Sequence, residues 1–128
     1  MEPVVIVIAL ALIEYLVLGA RVGFVRGRTG LQAPAVTGNE EFERHFRVHY
    51  NTLEHLVMFI PGIWFFALYV HVLWAAGIGL VYVVGRAVYA VSYVKDPGSR
   101  GTGMLLSVVP CWILVLGALA GAVWSYIA

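Results

Sequence analysis

Charge is scarce in this sequence. Of its 128 residues only 12% are Asp, Glu, Lys or Arg, 62% are hydrophobic, and the mean hydropathy is +0.91. Soluble domains carry about one quarter charged and about one half apolar residues, so a soluble globular domain is excluded. Cysteine occurs once, at Cys111, which excludes an intrachain disulfide and a cysteine-rich metal site; a lone cysteine in an apolar run reads as a small buried residue. There is no basic run and the net charge is only +1, so nucleic acid is not an expected partner. A P-loop, a dinucleotide fingerprint and a Ser-His-Asp signature are all missing. His45 and His49 have the i, i+4 spacing of a helical metal pair, but no third ligand is placed beside them, and no metal is expected. The first apolar segment does not read as a cleavable leader, because it opens with Glu2 instead of Lys or Arg and no small-residue cleavage site follows.

What is present is apolar sequence in four blocks. Helices are expected at about 3–25, 41–70, 72–94 and 103–127, an all-α integral membrane four-helix bundle forming a single domain over 1–128. Residues 22–43 read as a long polar connection, with Asn39 or Glu40 capping the second helix and glutamates in its first turn. Pro61 interrupts the second helix, and a very short turn around Tyr69–His71 leads into the third. Gly77 and Gly79 read as packing residues. The fourth helix carries no charge and is expected to be the lipid-facing, peripheral one; its Gly117-x3-Gly121 has the small-xxx-small packing pattern. All eight Lys and Arg residues fall on the first and third connections and the helix ends they join. The positive-inside rule puts those connections in the cytoplasm and both termini outside.

Two polar faces interrupt the apolar blocks. Arg47, Asn51 and Glu54 follow at i, i+4 and i+7 on the second helix; Arg86, Tyr89 and Tyr93 follow at i, i+3 and i+7 on the third. The topology sets both faces in one leaflet, with Glu54, Arg86 and the lone intramembrane carboxylate Glu14 on the order of 10–14 Å inward of the flanking cations. An unpaired charge at that depth is costly, so Arg86 is expected to pair with Glu54, Glu14 or both. Arginines grip carboxylates in bidentate fashion, a glutamate suits an amine, and an asparagine suits amide groups. Together they suit a small zwitterionic peptide with more than one carboxylate.

With these residues in order on four spans, the sequence resembles the MAPEG superfamily, membrane-associated proteins in eicosanoid and glutathione metabolism. The resemblance rests on Phe42-Glu43-Arg44, on Arg47-x3-Asn51-x2-Glu54, and on Gly85-Arg86-x2-Tyr89-x3-Tyr93 followed by Arg100. It covers nearly the whole chain. It implies a homotrimer of four-helix protomers with glutathione held at protomer interfaces near the cytoplasmic face. Arg47, Asn51, Glu54, Tyr89 and Tyr93 would hold glutathione, with His55 beside them and Arg21 and His49 supplied by the neighbouring protomer. Arg100 would sit by the sulfur as the catalytic group that stabilises the thiolate. Arg86, with Glu14, would be buried structural charge. His55 stands where leukotriene-C synthase-like members carry a tyrosine, His49 where they carry a glutamine, and Val22 where they carry a second arginine. Asn51-Thr-Leu-Glu54 followed by an apolar run and Pro61 looks more like the bacterial branch, which implies a bacterial inner membrane.

The implied activity is a membrane glutathione transferase or peroxidase acting on lipophilic electrophiles or hydroperoxides, with glutathione as co-substrate and membrane lipid as the surroundings. The alternative is a non-enzymatic lipid-binding scaffold of the same superfamily; a purely structural subunit of a larger complex has no feature in its favour.

Overall fold

The structure, a computed structural model, describes residues 1–128. It contains α1 (Glu2–Thr29), α2 (Glu40–Tyr69), α3 (Val72–Lys95), a single 3₁₀ turn (Pro97–Ser99) and α4 (Gly101–Ile127). All four α-helices are long and apolar enough to cross a membrane.

Helix ends follow local chemistry. α1 continues to Thr29, past the end expected from hydropathy, because Arg26 and Arg28 lie in its last turn, where cations suit the helix dipole. Gly30 then takes a left-handed conformation (φ 75°) and its N–H returns to the Arg26 carbonyl at 3.1 Å. The polar connection therefore shrinks to residues 30–39. Arg26 straps it down, donating to the Ala35 carbonyl at 2.8 Å and lying 4.4 Å over the Phe42 ring. Asn39 starts α2, its side chain accepting the Phe42 N–H at 2.9 Å. His71 is more than an interfacial residue: its Nδ1 accepts the N–H groups of Leu73 and Trp74 at 3.1 and 3.3 Å and so starts α3 within the tight turn.

Glycines decide which helix is central. A Cβ on Gly85 would lie 2.5 Å from the Leu106 carbonyl carbon, and one on Gly103 would run into the Tyr89 backbone, so α3 and α4 touch backbone to backbone. Gly117 and Gly121 receive the Phe66 ring and the Tyr69 backbone, which seats α4 on α2 as well. The expectation that α4 is peripheral is thus corrected. Absence of charge says only that a helix tolerates lipid, whereas the spacing of its glycines governs how closely neighbours approach. α1 is the peripheral helix, burying only Val4, Val7, Ala11 and Val25 against α2 and α3. Gly79 is a packing residue beneath Ile63 and Val7, but Gly77 faces open space. The half of the bundle away from residues 30–39 is closed by an apolar core in which Phe59 stacks on Tyr82 at 4.0 Å, flanked by Ile63 and Leu114.

Gly103→Val should force α3 and α4 apart and destabilise the bundle by about 1–3 kcal/mol. Gly77→Val, made where nothing opposes a side chain, should be near neutral. Thermal unfolding in detergent separates them; equal melting temperatures would contradict the close α3–α4 contact.

Candidate functional site

Arg86 anchors the polar region. It lies on α3, fully buried, and its guanidinium reaches two other helices. One terminal nitrogen donates to Asn51 Oδ1 at 2.8 Å and Thr52 Oγ1 at 2.9 Å on α2, and the other to Ser107 Oγ at 3.2 Å on α4. Both hydroxyls spend their own protons on backbone carbonyls, Thr52 on Val48 and Ser107 on Gly103, each at 2.8 Å. They are therefore acceptors towards Arg86. The guanidinium also lies 4.3 Å from the Tyr89 ring centroid.

The expected pairing of Arg86 with Glu54 or Glu14 is not formed, and neither carboxylate makes an ion pair with it. The neutral oxygens of Asn51 and Thr52 satisfy the cation instead, without the cost of burying a carboxylate. Glu54 points outward instead, half exposed, 4.0 Å from Arg47, which is equally exposed (53% and 54%). Glu14 has a buried Oε1 with no hydrogen-bond partner in the protein.

Outside this anchor a polar face opens. Arg47, Asn51 and Glu54 come from α2 and Tyr89 and Tyr93 from α3, the two phenol rings 5.5 Å apart. Arg100 comes from the turn before α4; it is exposed, donates to the Pro97 carbonyl at 2.9 Å, and lies three residues before the Gly103 that meets Tyr89. Because Arg86 is a donor only, it takes the oxygen of the Asn51 amide, which turns the amide –NH₂ outward as a donor. The half-open face thus offers two cations, a carboxylate, an amide donor and the Tyr93 phenol, while Tyr89, only 2% exposed, lies behind it against Arg86.

Three expected contact residues lie elsewhere within the protomer. His49 is on the α1 side of α2, stacked on Tyr15 at 4.3 Å and pressed against Gly19. Arg21 is exposed on α1. His55 is only 9% exposed and turns into the bundle interior. One residue turns a helix by about 100°, so the neighbour of an outward glutamate points in. Thr52 and Ser107 were not legible as functional, although each is a hydroxyl at a buried helical position, which is the signal that could have found them.

A separate groove of about 770 Å³ lies between the second halves of α2 and α4, lined by Phe65, Tyr69, Cys111, Trp112, Leu116 and Leu119 among others. It is apolar and occupies the opposite half of the bundle from the polar face.

Comparison with known proteins fits this arrangement of four spans with one polar face. The model of the MAPEG family matches residues 4–120. The chain belongs to the MAPEG family. It is an integral membrane protein with four spanning helices. An uncharacterized protein of Synechocystis sp. is 45% identical over 94% of this chain and 88% of its own length. Microsomal glutathione S-transferase 2 of Homo sapiens is 38% identical over 77% of this chain and 68% of its own. Leukotriene C4 synthase of Bos taurus is 33% identical over 69% of this chain, which spans 59% of that protein.

Replacing Arg86 with Leu removes the donor shared by Asn51, Thr52 and Ser107, the hydroxyls keeping only their bonds to backbone carbonyls, and should cost about 1–3 kcal/mol in all. Arg86→Lys should rescue only partly, since a lysine lacks the planar fork. Full recovery of thermal stability by lysine would contradict the three-point anchor.

Proposed function

We propose that this MAPEG protein is a membrane-bound glutathione transferase, with peroxidase activity where the electrophile is a hydroperoxide. The observation that carries the reading is the half-open polar face on membrane helices. Arg47, Asn51, Glu54, Tyr89, Tyr93 and Arg100 offer the functional groups that a tripeptide with two carboxylates, an amine and amide bonds needs. Two relatives whose names carry glutathione transfer or leukotriene C4 synthesis support it.

Arg100 is the catalytic residue in this reading. A thiol with a pKa of about 8.5 is mostly protonated at neutral pH, and a cation at the sulfur favours the thiolate. The thiol proton leaves to water. The thiolate then attacks an electrophilic carbon, a C–S bond forms, and the displaced group departs with the bonding pair. With a hydroperoxide, the sulfur attacks the O–O bond and releases the alcohol; a second glutathione converts the resulting sulfenic acid to disulfide and water. Glutathione arrives from the aqueous side, and the lipophilic partner from the bilayer.

The half-exposed Arg47 and Glu54 need a cover at membrane depth. We assign that cover to a second protomer of a homotrimer, which brings Arg21 and His49 to the face their own protomer does not share. The cation distribution favours cytoplasmic 30–39 and 96–100 connections and outward termini, in a bacterial inner membrane. The apolar groove favours a second reading, a lipid-binding scaffold without turnover; failure to bind glutathione would select it.

Arg100→Ala should lower turnover on the order of 10²-fold and remove the thiolate absorbance, with the oligomer intact; an unchanged rate would exclude the assigned role. Arg21→Ala and Asn51→Ala should each be impaired alone, and coexpression should restore activity by rebuilding intact sites between unlike protomers. If mixed oligomers gain nothing, the site does not cross the interface.

A further inference from the structure

One layer of the bundle interior is unusually polar. Val4, Val7 and Ala11 form the buried stripe of α1, and the next position on that stripe is Glu14. At the same level α2 contributes His55, α3 contributes Tyr82 and Arg86, and α4 contributes Ser107 and Cys111, all of them buried. The packing register sets them at one level: Val7 and Ile63 meet at Gly79, Leu106 meets Gly85, and Phe59 stacks on Tyr82.

Four atoms in this layer have no hydrogen-bond partner in the protein: Glu14 Oε1, His55 Nδ1, Tyr82 Oη and Arg86 Nε. Only one other buried side-chain atom in the chain shares that condition, Arg44 Nε near the aqueous end of α2. The clustering matters because an orphaned polar atom in a low-dielectric interior is costly, and four at one level multiply the cost. The set is also chemically balanced. Arg86 Nε–H and the Tyr82 hydroxyl donate, the Glu14 carboxylate accepts, and the His55 nitrogen takes whichever role is left. Water is the ligand that meets donors and acceptors together, and a buried water ordinarily takes about two to four such partners. An anion would be repelled by Glu14 and a cation by Arg86.

We propose that Glu14, His55, Tyr82 and Arg86 form an internal water-binding site, through which the Glu14 carboxylate balances the Arg86 charge and holds the guanidinium on Asn51. The site gives Glu14 a role that direct ion pairing does not supply. It makes Glu14 a positioning residue two steps removed from substrate: carboxylate to water, water to Arg86, Arg86 to the Asn51 amide whose –NH₂ faces outward. The last step rests on the reading of Asn51 as a glutathione contact; the water site does not.

Hydroxyl-radical footprinting by X-ray radiolysis in isotopically labelled water tests the site without glutathione. Bound water should mark Tyr82 and His55 in the wild type although both are buried, with the exposed Tyr126 as the bulk-solvent control. The marking should fall in Glu14→Leu and survive in Glu14→Gln, which keeps a hydrogen-bonding side chain of equal size and serves where the leucine variant fails to fold. Unmarked Tyr82 and His55 in the wild type would overturn the site. For the positioning role, Glu14→Leu should weaken glutathione binding about tenfold, as loss of one well-placed hydrogen bond does, but should add little in an Asn51→Ala background. Equal losses in both backgrounds would overturn that role. A wild type that binds no glutathione would end the proposed function and the positioning role together, and the footprint would still decide the water site by itself.

Discussion

A single buried guanidinium fixes the geometry of this protein. Arg86 is the point where α2, α3 and α4 are tied by hydrogen bonds and not by apolar packing alone. Burying a cation among membrane helices is expensive, so the sequence around it is constrained on every side. Thr52 and Ser107 must turn their lone pairs inward, Asn51 must give its oxygen, and Gly85 and Gly103 must let α4 come close enough for Ser107 to reach. The same constraint has a functional consequence. By holding the Asn51 oxygen, Arg86 sets which end of the amide faces the polar surface beside Arg47 and Glu54.

The chain faces two surroundings, and its two halves divide the work. The first half of α2, the last half of α3 and the start of α4 carry the polar face; the other halves carry the stacked Phe59–Tyr82 core and the apolar groove between α2 and α4. A water-soluble thiol and a lipid-soluble electrophile could each be served by the end that suits it. The tight His71-capped turn and the Arg26-strapped connection hold these halves in register.

Much of this was written in the sequence. The four spans, the membrane class and the family were legible because apolar length and the i, i+4, i+7 spacing of Arg47, Asn51 and Glu54 are one-dimensional signals. The partner of Arg86 was not legible. Charge counting favours a carboxylate, but the choice between Glu54 and the neutral oxygens of Asn51 and Thr52 depends on a rotation of one residue along α2. The inward direction of His55 is lost for the same reason. The central place of α4 was hidden because lack of charge and close glycine packing both look apolar in sequence. Where α1 stops was misjudged because hydropathy fades before the helix does, and Arg26, Arg28 and Gly30 decide its end.

The proposed function rests on glutathione binding at the polar face built on Arg86. Ultraviolet absorbance of the purified protein in detergent, followed as glutathione is added near neutral pH, reads it most directly. A saturable thiolate band is expected, with bound glutathione ionised at a pH where free glutathione is largely protonated. Absence of any saturable band or binding at millimolar glutathione would contradict the proposed function, and the face would then be internal structural polarity on a lipid-binding protein.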